Sequence, residues 1–205
     1  MGIRVLTVED STLIRLIINN TIKDMDGVEL VGTAENGKVA LELIKELKPD
    51  VITLDLVMPV MDGLETLTKI REFSNVPVII LSAQSDMRTT IEALEKGAQD
   101  FLTKPESITR NRKEFRKDLH ARFKALVHNS KPNKNHSEKK NKQSTVKSKP
   151  RRNSDNKKVD ALLIGASTGG PKMLTSLIKT LPSDLSIPIF IVQHMPAGFT
   201  ASFAK

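Results

Sequence analysis

The 205 residues contain no cysteine, no tryptophan and no tyrosine, and only 7 phenylalanines. Without cysteine there is no disulfide, no thiolate-ligated zinc, no iron–sulfur cluster and no thiol nucleophile. So few aromatic rings leave no platform on which nucleic-acid bases would stack. Long apolar runs are also missing. The longest, such as Val76 to Leu81, are of strand length, far below the roughly 20 residues of a membrane-spanning helix. No cationic segment with a cleavage site precedes the acidic pair Glu9-Asp10, and Leu6 stands where a myristoylation signal needs Ser or Thr. The chain is therefore expected to be soluble and cytoplasmic, without membrane insertion.

The formal net charge of +8 is unevenly placed. Residues 1–105 carry 11 basic and 17 acidic side chains, whereas residues 126–158 carry 11 and 2. Between His128 and Lys158 the only aliphatic residue is Val146. Such a segment buries too little apolar area to offset its ordering entropy, so 128–158 is expected to be a disordered basic linker. A charge run of this kind reads as a solvated spacer. Its phosphate affinity would be nonspecific and salt-dependent, and no specific nucleic-acid partner is expected.

Before the linker, short β-branched runs alternate with amphipathic stretches. Ile3–Val8, Val28–Thr33, Val51–Leu54, Val76–Leu81 and Asp100–Thr103 read as strands. Thr12–Met25, Lys38–Leu47, Gly63–Phe73 and Met87–Glu95 read as the helices between them, and a last helix runs from Ser107 to Val127 with Phe115, Leu119, Phe123 and Leu126 on one stripe. Strands apolar at nearly every position imply a parallel sheet covered on both faces, here a five-stranded, doubly wound α/β domain over 1–127. After the linker, residues 159–205 begin a second α/β unit. Its expected elements are a strand at Asp160–Ile164, a helix at Pro171–Leu181, a strand at Ile187–Gln193 and a helix from Phe199. Both strands are apolar and expected to be buried.

Sites in doubly wound sheets lie at the carboxyl ends of the strands. There the first strand delivers Glu9-Asp10, the third Asp55, the fourth Ser82 and the fifth Lys104. Three converging carboxylates repel unless a divalent cation sits among them, and hard oxygens suit Mg2+. An Asp carboxylate beside Mg2+ and an ammonium is placed to attack a phosphoryl group. Taken singly, an acid such as Asp10 or Asp62 also reads as an N-cap of the following helix.

With these landmarks in order, residues 1 to about 125 resemble a response-regulator receiver domain. The resemblance implies Asp55 as phosphoacceptor, and Mg2+ held by Asp10, Asp55 and the Val57 carbonyl, with Glu9 assisting through water. It also implies that Ser82 and Lys104 bind the phosphoryl group and that Phe101 is the switch aromatic. A chemotaxis histidine kinase is the implied phosphodonor, and a cis Lys104–Pro105 bond is expected.

Gly165-Ala166-Ser167-Thr168-Gly169 fits G-x-S-x-G between a strand and a helix, the context of a nucleophile elbow. The same small residues could serve only tight packing or phosphate binding. His120, His128 and His136 read as solvated, but His194 closes the neighbouring apolar strand at the same edge. It could be a structural histidine or the general base for Ser167. The run Ile164 to Gly170, with Gln193-His194-Met195-Pro196-Ala197-Gly198-Phe199-Thr200, is similar to the start of the chemotaxis protein-glutamate methylesterase catalytic domain. That resemblance implies Ser167 as nucleophile, His194 as base and Thr168 near the oxyanion. It also implies methylated chemoreceptor glutamates as substrates, deamidation of receptor glutamines, and no cofactor for the hydrolysis.

The family's catalytic Asp has no counterpart among these residues, since Asp160 and Asp184 do not match its place. Loss of such an acid costs on the order of 10⁴ in kcat, so a polypeptide of these 205 residues is expected to hydrolyse ester slowly or not at all. The alternative is a stand-alone receiver acting as a binding module with a non-catalytic tail.

Overall fold

The computed structural model describes residues 2–83, 87–104, 112–130, 159–195 and 199–203. Strands and helices alternate as β1 (Ile3–Val8), α1 (Thr12–Lys23), β2 (Val28–Ala34), α2 (Gly37–Leu47), β3 (Val51–Asp55), α3 (Gly63–Phe73), β4 (Val78–Ser82), α4 (Met87–Glu95), β5 (Asp100–Thr103) and α5 (Arg112–Ser130). The tail adds β6 (Leu162–Ala166), α6 (Gly170–Thr180), β7 (Ile189–Gln193) and α7 (Phe199–Phe203). The larger sheet runs β2-β1-β3-β4-β5 with every pair parallel. Its order reverses between β1 and β3, and the reversal opens a crevice at the carboxyl ends of the strands.

Side chains alternate across a strand, so each strand feeds two cores. Leu6, Ile52, Leu54, Val78 and Ile80 face α2, α3 and α4. Val5, Val51, Ile79 and Leu81 face α1 and α5, where Phe115, Leu119, Phe123 and Leu126 are all buried as their spacing predicts. Helix starts follow from side-chain acceptors: Ser11 Oγ receives Ile14 N–H at 3.4 Å, Asn36 Oδ1 receives Val39 N–H at 3.0 Å, and Asp62 Oδ1 receives Glu65 N–H at 2.8 Å. The capping role weighed for two acids thus holds for Asp62. Asp10 is released from it, because Ser11 caps α1.

Several boundaries differ from expectation, for reasons in the chain. β4 begins at Val78 and not Val76, because Pro77 has no N–H to donate and Arg71 Nη1 takes the Val76 carbonyl at 2.9 Å. The same guanidinium donates to Ser74 O, Gly97 O and Gln99 Oε1, and Gln99 Oε1 also receives Val78 N–H at 2.7 Å. In the tail, Pro188 delays β7 to Ile189, and Leu162 N–H donates to the Pro188 carbonyl at 2.9 Å, which sets the start of β6 two residues later than expected. α5 continues to Ser130.

The tail strands are not buried. Leu163, Phe190 and Val192 are 76%, 56% and 74% exposed, so the faces that carry them lie open among the described residues. His120, read as solvated, has its Nε2 3.1 Å from the Asp26 carbonyl. A carbonyl can only accept, so that nitrogen carries the proton. The linker assigned to 128–158 lies outside the described residues from residue 131 onward, as does Pro105 with its expected cis bond. No helix among the described residues is long and apolar enough to cross a membrane.

Candidate functional site

β1 and β3 are neighbours and β5 lies beyond β4, and the carboxyl ends of all three deliver a charged group into one crevice. Carboxylate oxygens of Glu9, Asp10 and Asp55 lie within 4.8 Å of one another. Lys104, just past β5, places Nζ 2.8 Å from Glu9 Oε2 and 2.8 Å from Asp55 Oδ2. Glu9 and Asp55 are buried, while Asp10 is exposed at the rim. Arg15 on α1 donates to the Glu9 and Asp10 carbonyls at 2.6 and 3.0 Å, which holds the loop that presents both acids. Ser82 is buried at the end of β4, and its carbonyl receives the Lys104 N–H at 2.9 Å.

One ammonium does not balance three carboxylates. Burial pushes the Glu9 carboxyl above its ordinary value, the Lys104 hydrogen bond opposes this, and the Asp55 charge adds to the rise. Burial likewise raises Asp55 against the pull of Lys104. Burial alone would lower the Lys104 ammonium, but its bonds to Asp55 and Glu9 outweigh it and the value rises. The residual negative charge and the all-oxygen donor set fit a hard divalent cation, with Glu9, Asp10 and Asp55 as the groups at hand.

The loop after β3 is held tightly. Asp55 Oδ1 receives Val57 N–H at 3.4 Å, and the Leu56 carbonyl receives Gly63 N–H at 2.9 Å. Val60 sits in this loop at φ 69° and is 80% exposed. A β-branched residue in the left-handed region carries a steric cost of roughly 1–2 kcal/mol. Val60→Gly is therefore expected to stabilise the chain by about 1 kcal/mol in denaturant unfolding. A neutral or destabilising result would show that the loop relaxes without strain.

At the other candidate site, β6 pairs parallel with β7 through Ala166 opposite Gln193. The next residues on the two strands are Ser167 and His194, so the register brings them to one edge. His194 N–H donates to the Ala166 carbonyl at 3.3 Å, and Gln193 Nε2 bridges the Ser167 and His194 carbonyls at 3.1 and 3.0 Å. Ser167 and His194 are exposed, and Thr168 is half-buried in the turn. Gly169 caps α6 at φ 72°, a conformation that favours glycine. No hydrogen bond joins the Ser167 hydroxyl to the His194 imidazole.

Sequence reasoning missed what holds this turn. Asp100 Oδ2 on β5 receives the Gly169 N–H at 3.2 Å, while Oδ1 receives Phe101 N–H at 2.8 Å. Phe101 stacks on Phe199 of α7, with centroids 4.6 Å apart at 26°. Phe199 and Leu174 of α6 are 1% and 3% exposed. The tail thus straddles the edge strand of the larger sheet. Only the apolar–acidic Asp100-Phe101 pair hinted at this, and nothing in the sequence pairs it with residue 169.

This geometry has close relatives. The response regulator receiver domain family model matches residues 5–116, and the chain belongs to that family. A second model, CheB methylesterase, matches residues 162–205, which gives the order receiver, then methylesterase-type segment. The protein-glutamate methylesterase/protein-glutamine glutaminase of Bacillus subtilis is 43% identical over 212 residues, 98% of this chain and 58% of that protein. The chain spans 58% of the length of the curated relatives first matched. The crystal structure of the response regulator domain of Thermotoga maritima CheB superposes with a TM-score of 0.58 at 36% identity, over 64% of this chain and 100% of that one. A CheX-CheY-BeF3-Mg+2 complex from Borrelia burgdorferi superposes at TM-score 0.51 and 31% identity, over 58% of this chain and 88% of the matched chain. The five-stranded receiver fold expected from the strand pattern is the fold observed.

Proposed function

We propose that the chain is the regulatory domain and the opening of the catalytic domain of a phosphorylation-controlled protein-glutamate methylesterase. The observation that carries the reading is the joint presence of the Glu9–Asp10–Asp55–Lys104 crevice and the Ser167/His194 strand edge in one chain.

In this reading a histidine kinase of the chemotaxis type presents a phosphorylated imidazole to the crevice. An Asp55 carboxylate oxygen attacks phosphorus, and the phosphorus–nitrogen bond breaks as the imidazole leaves. Asp10, Asp55 and the Val57 carbonyl would hold Mg2+, with Glu9 acting through water. The relative solved with beryllofluoride and magnesium supports this choice of ion. Bound there, Mg2+ supplies positive charge to the phosphoryl oxygens. Lys104 Nζ, already at Asp55 Oδ2, orients the carboxylate and pairs with the incoming group, and the Ser82 hydroxyl donates to it. Phe101 carries the change to the tail.

Ser167 Oγ is the proposed nucleophile toward glutamyl γ-methyl esters of chemoreceptors and toward receptor glutamines. His194 would take its proton and return it to the leaving methanol or ammonia. Thr168 and the amides opening α6 would face the oxyanion. Until Asp55 is modified, the receiver restrains this edge through the Asp100 and Phe101 contacts, while Ser167 and His194 themselves stay exposed.

The test is covalent labelling of the chain by a serine-directed fluorophosphonate. Label is expected on Ser167, absent in Ser167→Ala and cut on the order of 10²-fold or more in His194→Ala. Label elsewhere, or none under conditions that label a longer relative, would favour the binding-module alternative.

A further inference from the structure

We propose that Asp100 is a positioning residue for the serine turn: its carboxylate holds the Gly169 amide at the start of α6 and keeps the turn closed while Asp55 is unmodified. The inference rests on the esterase reading above and names the group through which the receiver would act.

Asp100 is 3% exposed in a parallel sheet edge, where a carboxylate is costly unless its oxygens are met. Both are met. Oδ1 is satisfied within β5 by the Phe101 N–H, and Oδ2 lies 3.4 Å from Arg122 Nε of α5. The remaining partner, Gly169 N–H, comes from 69 residues along the chain. That amide lies two residues past Ser167, in the group of N–H donors where an oxyanion formed on Ser167 would draw its stabilisation. A carboxylate anchored there both occupies a donor and sets a negative charge against the one that must develop.

The link to the phosphoacceptor crevice is short. Lys104 follows β5 directly, four residues after Asp100, and its N–H is tied to the Ser82 carbonyl at 2.9 Å. Its Nζ pairs with Asp55 Oδ2 at 2.8 Å. A phosphoryl group on Asp55 would pull on Lys104 and Ser82 together, so the strand that ends at the crevice is also the strand that grips the turn. Phe101, on the opposite face of β5, holds α7 by its stack on Phe199. Two consecutive residues of one edge strand therefore clasp the segments that follow Ser167 and His194.

The experiment follows the Gly169 amide by hydrogen exchange in the whole chain, with beryllofluoride and Mg2+ as the probe of Asp55. Asp100→Ala and the isosteric Asp100→Asn are compared with the unmodified chain, and the amides of Leu54 and Ile80 report whether each variant is folded. Loss of a bond to a charged acceptor is expected to speed Gly169 exchange at least about tenfold in Asp100→Ala, with a smaller rise in Asp100→Asn. Beryllofluoride should produce a similar rise in the unmodified chain and none further in Asp100→Ala. Exchange unchanged in the folded variants, or an undiminished beryllofluoride response in Asp100→Ala, overturns the assignment. Bound beryllofluoride gives its own fluorine resonance, which must vanish in Asp55→Asn. If that resonance never forms, the phosphoacceptor reading fails; if it forms while Gly169 stays protected, only the Asp100 proposal fails.

Discussion

Asp55→Asn is expected to abolish uptake of phosphate from a small acyl phosphate in the presence of Mg2+ and, at the same time, to raise the melting temperature of the chain. The first effect follows from the loss of the attacking carboxylate, because an amide oxygen is no nucleophile at neutral pH. The second follows from the crevice electrostatics. Burial holds both Glu9 and Asp55 above their ordinary values of 4.5 and 3.8. Between the unfolded and the raised folded values the native chain binds more protons, so stability falls as pH rises through that window. Where both carboxyls are ionised the pair is a net cost, and a neutral residue at 55 removes part of it, on the order of 1 kcal/mol for two carboxylates facing one ammonium. Lys104 works the other way: its raised value contributes stability that is fully present below its ordinary 10.5 and is lost only in alkali. Lys104 keeps Glu9 as a partner in the variant. Without metal, the melting temperature difference between Asp55→Asn and the unmodified chain should shrink as pH is lowered from 7 toward the carboxylate range. Saturating Mg2+ should stabilise the unmodified chain more than the variant. Uptake that persists in Asp55→Asn, or a variant less stable at pH 7, would refute the account of the crevice.

Gly63→Ala is the second large effect expected. A Cβ at this position would lie 2.2 Å from the Asp55 carbonyl oxygen and 2.6 Å from Leu56 Cα. Both are backbone atoms of the segment that presents Asp55, so no side-chain rotation relieves the clash. α3 would have to move away from the end of β3, and the Gly63 N–H bond to the Leu56 carbonyl would be lost with it. Overpacking of this kind costs about 3 kcal/mol, a drop of roughly 10 °C in melting temperature for a domain of this size. Phosphate uptake should fall along with it, because Asp55 no longer stands at Lys104. A variant that melts within about 2 °C of the unmodified chain would show that the close approach is not needed.

Much of the crevice was legible in the sequence because its grammar is local. Apolar runs ending in Glu9-Asp10, Asp55, Ser82 and Lys104 announce both the strands and their functional ends, and the parallel sheet brings those ends together. The stripe Phe115, Leu119, Phe123, Leu126 announced the buried face of α5 in the same way. Other determinants arise only between distant segments. Arg71 of α3 carries no motif, yet it is half-buried and donates to carbonyls of the α3–β4 and α4–β5 loops, and desolvation lowers its value. The choice between capping and ligation for Asp10 depended on Ser11, its neighbour, which takes the cap. The Asp100 contact with Gly169 joins residues with no shared motif. The expected burial of the tail strands rested on composition alone, and composition does not say whether a covering layer is at hand.

The open faces of β6 and β7 have a practical meaning for anyone handling these residues in solution. Leu163, Phe190 and Val192 form a water-facing apolar strip on a two-stranded sheet whose backbone edges invite further strands. An open apolar strip of this kind is adhesive and favours self-association at high protein concentration, which the well-packed receiver domain beside it does not.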